Sequence, residues 1–548
     1  MKTLTAALIL ALSPLLVSAQ PSWVKSARRG IVTLYAVQQR GDTLSCPAFF
    51  IDSDGTLLSP LKPLQQASRA WATDEKGTRY EVTRIGGFNS TYNVAKLLCD
   101  VSKRKPSPLQ ANRTPLTEEQ PVYLMPSGEE DHVAKVEKAN DHGYYTLEAT
   151  ADPSLGGNPL MNQQGEVVAI LQTPLQKLGS PFYALDISFA LSLEMSAMDV
   201  NSTDLQACSL PKQLPKEESQ AKSFMYLCQG DTETKVAYAD DFIAAYPQSS
   251  SGYVQKAECL ASAGRYGEAE SAYNEGLRAK VSDQHEVLYS RANVVYQLSV
   301  EGKQLPESWT LESALADIRK AREMSDLAVY TLSEARILYA LKDYDGAAES
   351  FTELTKTNMR TPDVFIYIAQ CRENAGASKE EILALNDSAV ACFTKPYTAG
   401  AADYLWLRAG TLKDLGRYRD AINDLNDYEH LLSGNLTDNF YYEREQLELR
   451  ARMFAQALAD IQKAIQLSPS EALYYAEQAV LLYRVGETDE AMASCRRAIE
   501  LDPTFPDPHR ILGICLSEQG STQEARAELQ RAVDLGDELA QGLLEKLQ

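Results

Sequence analysis

Residues 454–503 read FAQALADIQKAIQLSPSEALYYAEQAVLLYRVGETDEAMASCRRAIELDP, and the alanines in this stretch belong to a repeat that continues to residue 532. The alanines recur every 34 residues in two series, Ala457, Ala491 and Ala525, and Ala464, Ala498 and Ala532. This period is typical of helical hairpins that stack on one another, because one such unit is too small to bury its own apolar face. The sequence therefore predicts an all-α solenoid in the C-terminal part of the chain.

Apolar residues spaced by three and four, with glycine turns and prolines between helix pairs, extend this pattern back to residue 219. We predict about eight units over residues 219–548, with a degenerate unit at 362–392 and a polar capping helix at 537–548. The small residues at the helix crossings, the aromatic residues between units and the terminal prolines resemble the tetratricopeptide repeat family.

That resemblance implies a protein or peptide partner, bound on the face made by the first helix of each pair. Projecting the repeat register predicts which side chains lie on that face. They are Arg336, Tyr339, Trp406, Lys413, Tyr442, Gln446, Tyr483 and Arg484. The family's clamp for a C-terminal carboxylate needs lysine and asparagine where this chain has Val254 and Glu258, so the resemblance does not favour that mode of binding.

Before residue 206 the pattern changes to short strands separated by turn signals. Residues 30–35 and 46–52 are predicted strands, and Asp54-Gly55 is predicted to turn the chain into a strand at 56–59. Further strands are expected at 122–126 and 181–185. The spacing predicts an all-β barrel or sandwich.

Two motifs in this part resemble trypsin-like serine proteases of the bacterial HtrA type. They are Ala48-Phe49-Phe50-Ile51-Asp52 followed by Asp54-Gly55, and Asn158-Pro159-Leu160-Met161-Asn162 followed by Gly165-Glu166-Val167-Val168. The resemblance covers most of residues 25–195. It implies a degenerate protease domain at 20–205, made of two six-stranded barrels with a site between them.

The positions that this resemblance aligns with the catalytic triad carry other residues. Lys62 stands in place of the histidine, Asn93 in place of the aspartate and Gly156 in place of the nucleophilic serine. The first histidine of the chain is His132, so no histidine precedes the Asn93 strand to serve as the general base. We therefore predict no catalytic residues and a pseudoprotease, leaving open a rearranged site of Ser154 with His132 or His142.

Residues 1–19 contain Lys2, an apolar run and the small-residue site Val17-Ser18-Ala19. This pattern predicts a cleaved secretory signal. We therefore expect the protein to be exported, with the periplasm as its compartment. Residues 206–218 are predicted to be a linker.

Nine cysteines are scattered along the chain. Of these, Cys208 and Cys228 are the best candidates for a disulfide, whereas four others are expected in helix cores. No spacing typical of a zinc site occurs, and we predict no metal or cofactor.

The net charge of −22 excludes most nucleic-acid binding proteins, because phosphate binding is driven by basic surface. No apolar stretch after the leader is long enough to predict a transmembrane segment. The sequence thus predicts an exported, non-catalytic adaptor that binds a protein partner. The alternatives are a protease with an unorthodox site and repeats that recruit substrate, or a chaperone-like holder of exported chains.

Overall fold

The computed structural model describes residues 21–125, 132–140, 143–150, 153–172, 181–432 and 436–547. The predicted leader at 1–19 and His142 lie outside these residues. The chain divides into two compact units, Met1–Val287 and Leu288–Gln548. The first unit contains the β-structure and the first helices, and the second contains helices only.

Six strands close the first barrel in the order β1-β2-β3-β6-β5-β4. Their bounds are β1 (Ile31–Gln38), β2 (Thr43–Phe50), β3 (Thr56–Pro60), β4 (Ala67–Thr73), β5 (Arg79–Asn89) and β6 (Val94–Cys99). Alternate residues of β1, namely Val32, Leu34 and Ala36, are buried in the barrel core. This alternation follows from the two-residue period of a strand.

A second barrel closes in the order β10-β11-β12-β9-β8-β7. Its strands are β7 (Pro121–Leu124), β8 (His132–Asn140), β9 (Tyr144–Thr150), β10 (Pro159–Met161), β11 (Val167–Leu171) and β12 (Pro181–Asp186). Phe49 and Leu58 of the first barrel share a buried cluster with Met161 and Leu185 of the second. The two six-stranded barrels confirm the predicted trypsin-like fold.

Two short helices, α1 (Val24–Ala27) and α2 (Ile187–Ser192), flank the barrels, and a series of longer helices follows. In the first unit these are α3 (Glu218–Leu227), α4 (Thr232–Ala245), α5 (Ser250–Ser262) and α6 (Tyr266–Arg278), and α7 (Gln284–Val300) crosses into the second. The second unit continues with α8 (Leu311–Met324), α9 (Ala328–Ala340), α10 (Tyr344–Leu354), α11 (Pro362–Asn374), α12 (Lys379–Val390), α13 (Ala402–Asp414), α14 (Tyr418–Leu431), α15 (Asp438–Arg450), α16 (Phe454–Leu467), α17 (Ala472–Val485), α18 (Thr488–Leu501), α19 (Pro506–Glu518), α20 (Thr522–Asp534) and α21 (Glu538–Lys546).

The alanines of the 34-residue period lie at the helix crossings, where all six are completely buried. A small side chain there lets two helix axes approach closely. Helices α5 to α20 make eight consecutive pairs, and α21 follows them. The predicted architecture of two barrels followed by an all-α repeat array is confirmed. Among the described residues, no helix combines the length and apolarity that a membrane crossing requires.

Helices α3 and α4 share the hydrophobic core of the first barrel. Phe224 of α3 and Phe242 of α4 are fully buried in the same cluster as Ile85 and Leu97 of the barrel. Burying one phenylalanine contributes about 2 kcal/mol from the hydrophobic effect. These two helices are therefore packed into the first barrel.

The predicted linker at 206–218 is hydrogen-bonded to the first barrel. Ser209 N donates to Ala67 O at 2.8 Å, and Ile85 N donates to Pro211 O at 2.9 Å. The ammonium group of Lys212 is buried and donates to Val200 O at 2.6 Å. Burial lowers the pKa of Lys212. The segment is an ordered part of the first unit.

All nine cysteines are free thiols. Cys208 and Cys228, the best candidates for a disulfide, do not form one in this structure. Both residues instead contribute to the apolar cluster that joins the first barrel to α3 and α4, where burial raises the pKa of Cys208. Of the cysteines expected in helix cores, Cys371, Cys495 and Cys515 are buried and Cys259 is half-buried.

Candidate functional site

A cavity of about 450 Å³ lies between the two barrels and contains all three positions that the protease resemblance assigned to a triad. Lys62, Asn93 and Gly156 line it together with Ser154 and Cys46. The structure therefore brings these three residues together in one cavity.

Lys62 and Asn93 are joined by a hydrogen bond that does not involve the lysine ammonium. The backbone N–H of Lys62 donates to Asn93 Oδ1 at 2.8 Å. Lys62 begins a short 3-10 turn, and its side chain is exposed. Asn93 has a φ of 47°, a left-handed conformation that asparagine tolerates better than most residues. The Asn93 side chain thus caps the turn that carries Lys62.

The turn at Gly156 and Gly157 is tightly packed against the first barrel. Gly157 has a φ of 93°, and a Cβ atom added there would lie 2.6 Å from Pro47 O. The next residue, Asn158, is completely buried. Its Nδ2 donates to Leu155 O at 3.1 Å, and its Oδ1 has no hydrogen-bond partner in the described structure. This turn needs glycine for both its backbone conformation and its close approach.

Cys46 is the thiol that lines the cavity. Burial raises the pKa of Cys46 to about 12, so the thiol stays protonated at neutral pH. Ser154 lies in the same cavity. His132, one base of the rearranged site left open above, begins β8 and pairs with Leu124 in the second barrel. His142, the other, lies outside the described residues.

A second cavity, of about 580 Å³, lies between α13 and α15, and we name it the α13–α15 pocket. It brings together four of the eight predicted partner-binding residues, Trp406, Lys413, Tyr442 and Gln446. Other residues that line it include Asp414, Tyr418, Glu443 and Arg450. The sequence did not single out Arg450, although it follows Gln446 by one helical turn on the same face.

The other four predicted residues do not line this pocket. Arg336 and Tyr339 are exposed on α9, and Tyr339 Oη accepts a hydrogen bond from Asn374 Nδ2 at 3.2 Å. Tyr483 and Arg484 lie in the last turn of α17. Tyr483 Oη donates to Glu518 Oε1 at 2.6 Å, which raises the pKa of Tyr483 to about 12.

Beside the α13–α15 pocket, the seam between α15, α16 and α17 contains buried acids that sequence analysis missed. Glu445 is completely buried and Glu448 is 3% exposed, and one carboxyl oxygen of each has no hydrogen-bond partner in the described structure. Burial, followed by repulsion from Glu477, raises the pKa of Glu445 to about 8. Burial and then repulsion from Asp460 raise the pKa of Glu448 to about 8.

Ion pairs between the two helices of a unit were also missed. Arg408 Nη2 lies 2.7 Å from Asp424 Oδ1, and Arg444 Nε lies 2.5 Å from Asp460 Oδ2. Both pairs join positions 16 residues apart, one on each helix of a pair. That repeated spacing of opposite charges is a signal the sequence contained.

Comparison with known families identifies the helices. Two tetratricopeptide repeat models match, one over residues 482–547 and the other over 229–283, 332–395 and 444–506. The array is therefore built from tetratricopeptide repeats. No curated protein matches the chain.

Solved structures give partial matches to this chain. An HtrA-type protease, AlgW with decapeptide, is 14% identical over 31% of this chain, with a TM-score of 0.27. This chain spans 64% of that protein. YrrB, described as a TPR protein with an unusual peptide-binding site, is 20% identical over 36% of this chain and 99% of its own, with a TM-score of 0.30. Within the described residues, no group of three or more histidine, cysteine, aspartate or glutamate side chains is arranged to hold a metal ion.

Proposed function

We propose that this chain is an exported, non-catalytic adaptor whose tetratricopeptide repeats bind a partner protein and whose barrel pair has lost protease chemistry. The observation that carries the proposal is the cavity between the barrels, which is lined by Lys62, Asn93 and Gly156, the residues that the protease resemblance aligns with the triad. Tetratricopeptide arrays are protein-interaction scaffolds.

These residues lack groups that the triad members supply. Gly156 has no side chain that could act as the nucleophile, and the uncharged Asn93 amide does not supply the carboxylate of the aspartate. The Asn93 oxygen accepts the Lys62 backbone N–H, so it holds a turn. Loss of triad members costs on the order of 10⁴ to 10⁶ in turnover. Cys46 does not replace the nucleophile, because its raised pKa keeps the thiol protonated.

Binding is supported by aromatic side chains that the array leaves exposed. Tyr339 and Trp406 are each 39% exposed on the first helices of their pairs, and Tyr367 on α11 is 38% exposed. Aromatic residues are enriched at the energetic centres of protein interfaces. These positions are the surface on which we place the partner.

The adaptor proposal is tested with the full-length chain carrying a photo-crosslinking amino acid at Tyr339, expressed in its source cell. The matched control carries the same group at Lys356, which is exposed at the end of the second helix of that pair. We expect one dominant crosslinked partner from position 339 and none from 356. A diffuse set of unfolded chains would instead support the chaperone-like holder.

The loss of catalysis is tested by reaction with a fluorophosphonate probe and by casein hydrolysis. We expect neither labelling nor hydrolysis above the level of a Ser154→Ala variant. Labelling that disappears in Ser154→Ala would overturn the proposal and favour the substrate-recruiting protease.

A further inference from the structure

We infer that the α13–α15 pocket binds an acidic side chain of an extended partner peptide, beside an aromatic or aliphatic residue that packs on Trp406. The inference rests on the proposed binding function and names the chemistry of the partner. Three observations support the inference: two cationic side chains line the pocket, one indole in it is exposed, and the distance between them suits a short stretch of peptide.

Lys413 and Arg450 are the cations of the pocket, and both lie in the last turn of their helices. Both side chains are exposed. In the part of the chain that the structure describes, no carboxylate forms an ion pair with either of them. Arg450 Nη1 donates to Tyr418 Oη at 3.4 Å, and its guanidinium lies 5.8 Å from the centre of that ring. Two unneutralised cations that line one pocket form a binding site for a carboxylate.

The two acidic residues of the pocket, Asp414 and Glu443, do not neutralise its two cations. Asp414 pairs with Lys379 outside the pocket, with 3.4 Å between Oδ2 and Nζ. Glu443 accepts a hydrogen bond from Asn439 Nδ2 at 3.0 Å. Glu443 also precedes Arg450 by about two helical turns, or about 10 Å along the axis. The end of the pocket formed by the last helical turns is therefore positively charged.

Trp406 supplies the apolar part of the pocket. Its ring lies 5.2 Å from that of Tyr428 and 6.2 Å from that of Phe440, so the indole is supported by neighbouring rings. It nevertheless remains 39% exposed. A supported, half-exposed indole can pack against an apolar side chain with little loss of side-chain entropy.

The distance between Trp406 and the cationic end of the pocket sets how far apart the two side chains of the bound peptide must be. Trp406 precedes Lys413 by about two helical turns, or about 10 Å along α13. An extended chain in the polyproline II conformation advances about 3.1 Å per residue and has three residues per turn, so side chains three positions apart lie on the same side and about 9 Å apart, which lets them reach both. The net charge of −22 opposes the approach of acidic chains at long range, but salt screens that field beyond about 10 Å. Selectivity is then set by the pocket itself.

The test uses end-blocked, fluorescein-labelled peptides with a Gly-Ser framework and a phenylalanine three positions before a glutamate. Matched peptides carry glutamine or lysine in place of glutamate, and one carries no acidic side chain but a free C-terminal carboxylate. Binding to the full-length chain is measured by fluorescence polarisation. We expect the glutamate peptide to bind about tenfold more tightly than the glutamine peptide and to lose affinity with added salt.

Variants locate the binding. Lys413→Gln and Arg450→Gln should each weaken the glutamate peptide about fivefold or more, and Trp406→Ala should remove the benefit of phenylalanine. Lys356→Gln, a matched change at an exposed lysine outside the pocket, should have no effect. Circular dichroism checks that each variant is folded.

Equal or tighter binding of the lysine peptide would overturn the inference. So would binding of the free-carboxylate peptide alone, or no saturable binding of the glutamate peptide below about 1 mM. Crosslinking of the partner at Tyr339 separates the two proposals. If it persists in the Lys413→Gln, Arg450→Gln double variant, the adaptor proposal stands and the acidic-peptide inference fails.

Discussion

Arg444 and Asp460 form a buried ion pair through two hydrogen bonds, with Nε 2.5 Å from Oδ2 and Nη2 2.8 Å from Oδ1. Arg444 and Asp460 are each 3% exposed. Arg444 also lies 2.7 Å from Glu429 Oε2, so the pair joins α14, α15 and α16. Removing one member of such a pair leaves the other charge buried without compensation.

We therefore expect Asp460→Asn to lower the free energy of unfolding of the second unit by about 3 kcal/mol. The control is Asp420→Asn, which breaks the exposed pair between Arg417 and Asp420 and should cost less than about 1 kcal/mol. Urea unfolding followed by helical circular dichroism measures both. Equal effects of the two changes would contradict the prediction.

The buried carboxyls Glu445 and Glu448 should make the array less stable as the pH rises. Their folded-state pKa values are about 8, against 4.5 for an ordinary glutamate. The unfolded chain therefore ionises first, and stability is lost progressively between about pH 4.5 and about pH 8. The two groups interact, so the titration belongs to the pair.

Glu445→Gln and Glu448→Gln should each flatten this pH dependence and raise the melting temperature at about pH 8 more than at about pH 5. Glu443→Gln, an exposed change on the same helix, should leave the slope of the wild-type chain. Thermal melts across this pH range measure the effect. An unchanged slope in the Glu445→Gln, Glu448→Gln double variant would refute the prediction.

Gly157→Ala should destabilise the first unit, because the new Cβ would lie 2.6 Å from Pro47 O in a backbone conformation with φ of 93°. We expect a cost of about 3 kcal/mol, combining backbone strain with the clash. Gly41→Ala is the matched control, since Gly41 has a φ of 96° and open space around it. It should cost only about 1 kcal/mol. Equal denaturant midpoints for the two variants would show that the turn relaxes around the added methyl group, which would contradict the prediction.

Thiol reactivity should separate Cys392 from the other cysteines. Cys392 is the exposed one, whereas burial raises the pKa of Cys46, Cys99 and Cys495 to about 12. We expect one fast reaction of the native chain with Ellman's reagent, lost in Cys392→Ser, and nine reactive thiols after denaturation. Seven thiols in the denatured chain would show a disulfide, in conflict with the structure.

The elements with local periodicity could be predicted from the sequence. The crossing alanines, the Asp54-Gly55 turn and the strands around it are each specified by residues within a few positions of one another. Lys62, Asn93 and Gly156 lie in one cavity, as the alignment of motifs implied.

What could not be predicted depends on contacts between distant residues. The apolar face of α3 that contains Phe224 would look the same whether it packed on another helix or, as observed, in the barrel. In the sequence, Glu445 is indistinguishable from a solvent-exposed glutamate on a helix. It is buried only because α17 packs beside it. Four of the residues predicted for the binding face line the α13–α15 pocket. Arg450 was not among those predicted, because it lies at a helix end whose exposure depends on its neighbours.

The packing of α3 and α4 into the first barrel bears on how this protein can be divided. A cut at residue 218, the end of the predicted linker, would remove Phe224 and Phe242 from the interior they share with Ile85 and Leu97. It would also break the ion pair of 2.7 Å between Arg84 and Asp241. The barrels and the start of the array thus form one module for gene fusion, deletion or domain exchange, and any transplant of the repeats has to leave these two helices with the barrels.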